Sequence, residues 1–153
     1  MLLGKVIIGN GGADFGARGY VTAVDAATGK VAWKFYTTPS KPGDNNGQPE
    51  LELAAKTWGE KFLKAGGGGG TVWNGMTFDA ARNRVYIGVG NAGPYDPEVR
   101  DPGGSDNLFT ASIVALDAST GKYIWHYQQN PRDSWDYKAT PDIVTATLNI
   151  DGK

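Results

Sequence analysis

The chain has 153 residues, of which 40% are hydrophobic and 11% aromatic, and a formal net charge of −1. That is apolar material for one ordinary domain with a packed core, which excludes wholesale disorder. Lys and Arg are scattered, which excludes a nucleic-acid footprint. No apolar run reaches the roughly 18–20 residues of a membrane helix. Without cysteine, these residues hold no disulfide, thiolate zinc site or covalent haem attachment.

In chain order, residues 1–5 lack the segments of a signal peptide, and 5–9 read as a short apolar strand. A glycine-rich loop, 9–19, carries Asp14 and Arg18. Residues 19–38 read as a hairpin: alternating apolar residues, a tight Asp-x-x-Thr-Gly-Lys turn, then a strand ending on a large aromatic. Residues 39–48 are Pro/Gly/Asn-rich loop. Over 50–64, Leu51, Ala55, Trp58 and Phe62 recur at helical spacing, and Gly66 supplies a stop before the glycine run 66–70. Residues 71–79 and 84–90 read as strands joined by a turn at 79–83. A long loop covers 91–107, a second hairpin 112–128, a further loop 130–140, and a strand starts at 142–150.

The two hairpins repeat each other: VTAVDAATGKVAWKFY from Val21 matches IVALDASTGKYIWHY from Ile113. A repeated hairpin points to stacked antiparallel sheets in place of one unique core. The expected fold is all-β: a partial β-propeller of two to three four-stranded blades, with one short helical insertion. One blade is assembled from residues 71–128. The spacing of Asp25 and Asp117 exceeds the roughly 40–50 residues of simple propeller repeats, and the helical insertion and the loop after Asn91 account for the excess. Both ends read as cut, so 1–153 is expected to be a fragment of one longer propeller domain.

Four loop segments could carry chemistry. Consecutive glycines at 9–12 let backbone approach a planar or anionic ligand, and Asp14 ends that loop with a cation ligand. After the glycine run, Thr71 and Trp73 share a strand face where a hydroxyl beside an indole suits a flat, polar-edged aromatic; the missing Lys-Ser/Thr excludes a P-loop. Asn91, at a strand end, offers a carbonyl to a hard cation such as calcium. Asp136 lies between Trp135 and Tyr137, where partial desolvation suits a general base. Taken alone, each segment reads more readily as structure than as a site: a flexible turn, a core indole, a turn Asn and a loop acid with packing aromatics. His126 reads as a structural residue of its hairpin.

Together these segments resemble the pyrroloquinoline quinone (PQQ)-dependent alcohol dehydrogenases, the family of methanol dehydrogenase and the quinohaemoprotein alcohol dehydrogenases. The resemblance is carried by GGADFGARGY (11–20), GGGTVW (68–73), YIGVGN (86–91), PGGSDNLF (102–109) and WDY (135–137), in order and spacing. It implies an eight-bladed propeller, the hairpins being its tryptophan-docking motifs. It also implies that Gly12, Ala13, Thr71 and Trp73 contact PQQ, that Asp14, Asn91 and Asp136 ligate Ca2+, and that Asp136 is the base. The implied reaction is oxidation of a primary alcohol to an aldehyde by hydride transfer to the quinone, with calcium as Lewis acid. A cytochrome c or haem domain is the implied electron acceptor and the periplasm the implied compartment.

Two departures stand out. Most relatives carry Glu at position 14; Asp withdraws the carboxylate by about one C–C bond, roughly 1.5 Å. Position 138 is Lys, where lanthanide-using relatives carry an extra Asp, which favours calcium. The family's basic quinone ligands and adjacent-cysteine disulfide have no counterpart here, so the 153 residues alone are expected to be inactive. The alternative is a non-catalytic propeller scaffold, which needs the hairpins but not Asp14, Trp73, Asn91 and Asp136 in register.

Overall fold

A computed structural model describes residues 4–41, 44–45, 47–62 and 68–152. The first hairpin forms strands β2 (Tyr20–Asp25) and β3 (Val31–Tyr36), and β1 (Lys5–Gly9) pairs antiparallel with β2. The second forms β8 (Ser112–Asp117) and β9 (Tyr123–Gln128), and completes a four-stranded antiparallel sheet with β5 (Thr77–Asp79) and β6 (Arg84–Gly88) in the order β5-β6-β8-β9. A two-stranded ribbon joins β4 (Gly68–Gly69) to β7 (Ala92–Gly93).

The turns are alike because the same side chains build them. Asp25 Oδ1 accepts from the backbone of Ala27 and Thr28 and from the Thr28 hydroxyl. Asp117 does the same with Ser119 and Thr120. Trp33 then ties the sheets together. Its indole lies on Gly121, where an added Cβ would meet the ring at 2.5 Å, and its Nε1 donates to the Ala118 carbonyl at 3.2 Å. The main core lies between the sheets and includes Val21, Phe35, Leu51, Val72, Ile87, Phe109 and Leu116.

Several expectations are corrected. Among the described residues the first sheet has three strands, so one four-stranded group is present. The helix expected over 50–64 is α1 (Pro49–Ala55), started by Pro49 at its first turn; the expected stop at Gly66 lies outside the described residues. A second helix, α2 (Pro97–Arg100), sits in the presumed loop 91–107, with Asp96 accepting from the Glu98 backbone as its N-cap. Strand structure over 71–79 is confined to β5, because only Thr77–Asp79 pair with a neighbouring strand among the described residues. Residues 142–150 carry strand alternation but form no strand, since no neighbour pairs with them among the described residues. No helix there is long and apolar enough to cross a membrane.

Candidate functional site

The glycine ribbon gathers the candidate residues. Gly69 donates to the Ala17 carbonyl and accepts from Gly19, each at 2.8 Å, while Gly70 donates to the Asn91 carbonyl at 2.7 Å. Segment 68–70 therefore lies between the loop carrying Asp14 and the loop carrying Asn91. A Cβ on Gly69 would stand 2.4 Å from the Gly93 nitrogen and 2.6 Å from the Asn91 oxygen. The described glycines of the run thus allow the chain to approach itself. Behind this junction Trp58 and Phe62, rings 4.6 Å apart, pack with Ala92.

Gly12, at φ +94, caps a 3-10 turn (Ala13–Phe15) that sets Ala13 inward and Asp14 outward. Asn91 is buried, and its Nδ2 donates to Asp14 Oδ1 at 3.4 Å and to the Ala92 carbonyl at 3.3 Å. Asp14 and Asn91 are brought together from positions 77 residues apart. A cleft of about 420 Å³ opens beside Asp14, between Phe15 and Gly93–Tyr95. A larger cleft, about 590 Å³, lies against Val6, Ile7, Met76 and Phe78 and contains none of the candidate residues.

Thr71 is fully buried, and its hydroxyl has no hydrogen-bond partner. Trp73 is 45% exposed, with its six-membered ring against Gly90. The shared strand face expected for these two is corrected: residues 71–73 are not a strand, and Thr71 and Val72 are both buried. They meet at Gly90 instead, whose amide donates to the Thr71 carbonyl at 3.0 Å.

Asp136 stands on the 130–140 loop at φ +62 and makes no hydrogen bond to Asp14 or Asn91. Its carboxylate pairs with Lys138 and is 45% exposed. Trp135 and Tyr137 are 73% and 64% exposed, so the desolvation expected from flanking aromatics is not supplied within this chain. The loop is fastened to the Asn91 side by Tyr95, whose Oη donates to the Ser134 carbonyl at 2.8 Å, and by Arg100. Arg100 is fully buried, which pushes its pKa down; Arg132 lowers it further, and Asp133, Asp101 and Asp96 oppose that. Sequence reasoning missed Arg100, because a single arginine in a polar loop carries no local signal. His126 is structural, as expected: it packs edge-on to Phe109 and its Nδ1 bonds the Tyr123 hydroxyl at 2.8 Å.

The donor set fits the implied groups chemically. Two carboxylates and a carboxamide are hard oxygen donors suited to calcium, and the unpartnered Thr71 hydroxyl and the accessible Trp73 indole are groups that suit a flat polar ligand. With its Nδ2 on Asp14, Asn91 must turn its amide for both residues to present oxygen to one cation. Among the described residues, no three His, Cys, Asp or Glu side chains form a metal-holding group.

A fold of antiparallel sheets tied by repeated tryptophan hairpins, with candidate residues on its loops, defines a quinoprotein-type propeller segment. Residues 2–153 match the family described as PQQ: Glucose/ethanol/alcohol dehydrogenase, beta-propeller domain, and the chain belongs to that family. It is 56% identical over 151 residues to quinohemoprotein alcohol dehydrogenase ADH IIB of Pseudomonas putida, covering 98% of this chain and 22% of that protein. The crystal structure of quinohemoprotein alcohol dehydrogenase from Comamonas testosteroni superposes with a TM-score of 0.92 at 51% identity, over 99% of this chain and 23% of that one. A europium-containing methanol dehydrogenase superposes at 0.81 with 32% identity, over 100% of this chain and 27% of that one. The chain spans about a fifth of the length of the curated relatives it matches.

Proposed function

We propose that this chain is part of a PQQ- and calcium-dependent alcohol dehydrogenase that oxidises primary alcohols to aldehydes. The observation that carries the proposal is the meeting of Asp14 and Asn91 beside a loop junction that also bears Thr71 and Trp73. A hairpin scaffold has no need of that juxtaposition. The names of the relatives, quinohemoprotein alcohol dehydrogenases, support the same reading.

In this reading the backbone at Gly12 and Ala13 and the Thr71 hydroxyl hold the polar edge of the quinone, and the Trp73 indole covers a flat face. Asp14, Asn91 and Asp136 hold the cation; Lys138 in place of an additional acid favours calcium over a lanthanide. When bound, PQQ supplies the two-electron acceptor and calcium the Lewis acidity. Asp136 accepts the alcohol's hydroxyl proton at a carboxylate oxygen. In this structure Lys138 competes for that carboxylate, so proton transfer needs the oxygen released from the ammonium. Residues beyond this chain complete an eight-bladed propeller, cover Trp135 and Tyr137, and connect to a cytochrome c or haem acceptor in the periplasm.

Asp136→Asn in the full-length protein tests the base. Turnover is lost while PQQ and calcium are retained; unchanged turnover with both bound excludes Asp136 from that role. The 153 residues alone should give no dye-coupled alcohol oxidation with PQQ and calcium, and measurable turnover by the purified chain refutes that expectation.

A further inference from the structure

We infer that Arg100 is a positioning residue that locks the loop carrying Asp136 against the loop that follows Asn91. Its guanidinium is fully buried and reaches three separate segments. Nη1 donates to the Pro94 and Tyr95 carbonyls at 2.7 and 2.9 Å, Nη2 to the Asp133 carbonyl at 3.1 Å, and Nε to Asn107 Oδ1 at 2.9 Å. All four acceptors are neutral carbonyl oxygens. Burial of a cation without a directly bonded carboxylate is costly, and the compensation here is geometric. A planar fork of five N–H donors bridges carbonyls from several directions at once, which a single ammonium cannot do.

Both ends of the bridge lead to candidate site residues. On one side, Pro94 and Tyr95 directly follow Ala92–Gly93, the strand that pairs with Gly68–Gly69 and fixes Asn91. On the other, Asp133 Oδ1 accepts from the Trp135 amide at 3.0 Å and from Asn130 Nδ2 at 2.6 Å. The peptide leading into Asp136 is thereby held, and Asp136 itself keeps φ +62, a conformation that a non-glycine residue retains where its surroundings impose it. Arg100 thus sets the placement of Asp136 relative to Asn91 without belonging to the proposed ligand set. The catalytic part of this inference rests on Asp136 as the base; the mechanical part does not.

The test is Arg100→Lys in the full-length protein, read by amide hydrogen exchange and by steady-state kinetics, with Arg82→Gln as an exposed-ion-pair control that changes neither. Exchange at Gly93, Tyr95 and Asp96 and over 133–137 is expected to rise together by at least ~10-fold, while the 20–36 hairpin stays within ~2-fold. The kcat for alcohol falls by at least ~10-fold with KM within ~3-fold, as misplacement of a reacting group requires. Unchanged exchange in both loops overturns the proposal. So does an equal rise across the remote hairpin, which marks general destabilisation. Should Asp136→Asn retain full turnover, the base assignment fails and the exchange pattern alone decides whether Arg100 is the lock.

Discussion

Gly90→Ala offers a selective perturbation of the proposed quinone platform. An added Cβ would lie 2.1 Å from Trp73 Cζ3, 2.5 Å from Cη2 and 3.0 Å from the Thr71 carbonyl oxygen. Carbon atoms pack at about 3.5–4.0 Å, so something must shift by about 1.4 Å. The backbone is held on both sides, because Gly90 donates to Thr71 and accepts from Ala111, each at 3.0 Å. The indole, 45% exposed, has solvent to move into. The strain is therefore relieved by displacing the ring, at a stability cost at or below the ~1–3 kcal/mol of core overpacking. A ring displaced that far no longer lies where it stacked on a flat ligand. PQQ affinity in the full-length protein should fall at least ~10-fold, equivalent to about 1.4 kcal/mol. Titration of PQQ followed by quenching of indole fluorescence measures this, with chemical denaturation run in parallel. A Gly90→Ala protein that binds PQQ with unchanged Kd refutes the placement of Trp73 against the cofactor.

Trp33→Ala removes both the packing on Gly121 and the bond to Ala118; urea denaturation should register a loss of about 3–5 kcal/mol, and a loss below 1 kcal/mol contradicts the indole's role in tying the sheets. Asp14→Asn keeps the Asn91 contact geometry but removes a charge, so calcium retention measured by equilibrium dialysis should weaken at least ~10-fold, with unchanged retention removing Asp14 from the ligand set. Burial pushes the His126 imidazole below its ordinary pKa. The unfolded chain then binds the proton more tightly, and stability is lost as pH falls below about 6.5. His126→Gln should flatten that slope in denaturation series from pH 5 to 7, and an unaltered slope assigns it to other groups.

Much of the sheet structure was legible because local signals and tertiary needs agree. The Asp-x-x-Thr-Gly-Lys turns specify their own hydrogen bonds, and the alternation around them gives strands at Tyr20–Asp25, Val31–Tyr36, Ser112–Asp117 and Tyr123–Gln128. Failures occurred where structure depends on distant partners. Residues 142–150 have the alternation of a strand, but alternation describes a face and not a neighbour. The helix after Asp96 was readable from its Asp cap and Pro97, yet proline and glycine density drew the reading to loop. At the site, Asp14, Thr71, Trp73, Asn91 and Asp136 were singled out by residue type at loop positions. Arg100 could not be found that way. Its importance lies in carbonyls at 94, 95 and 133, and backbone acceptors are the same in every sequence.

The account stands on convergence of three loops around one cation, and the structure of the full-length protein with PQQ and calcium bound measures it directly. It predicts oxygen atoms of Asp14, Asn91 and Asp136 each about 2.3–2.6 Å from a single calcium ion, with Asp136 released from Lys138. A calcium ion ligated elsewhere, with Asp136 still paired to Lys138 and remote from Asn91, contradicts it.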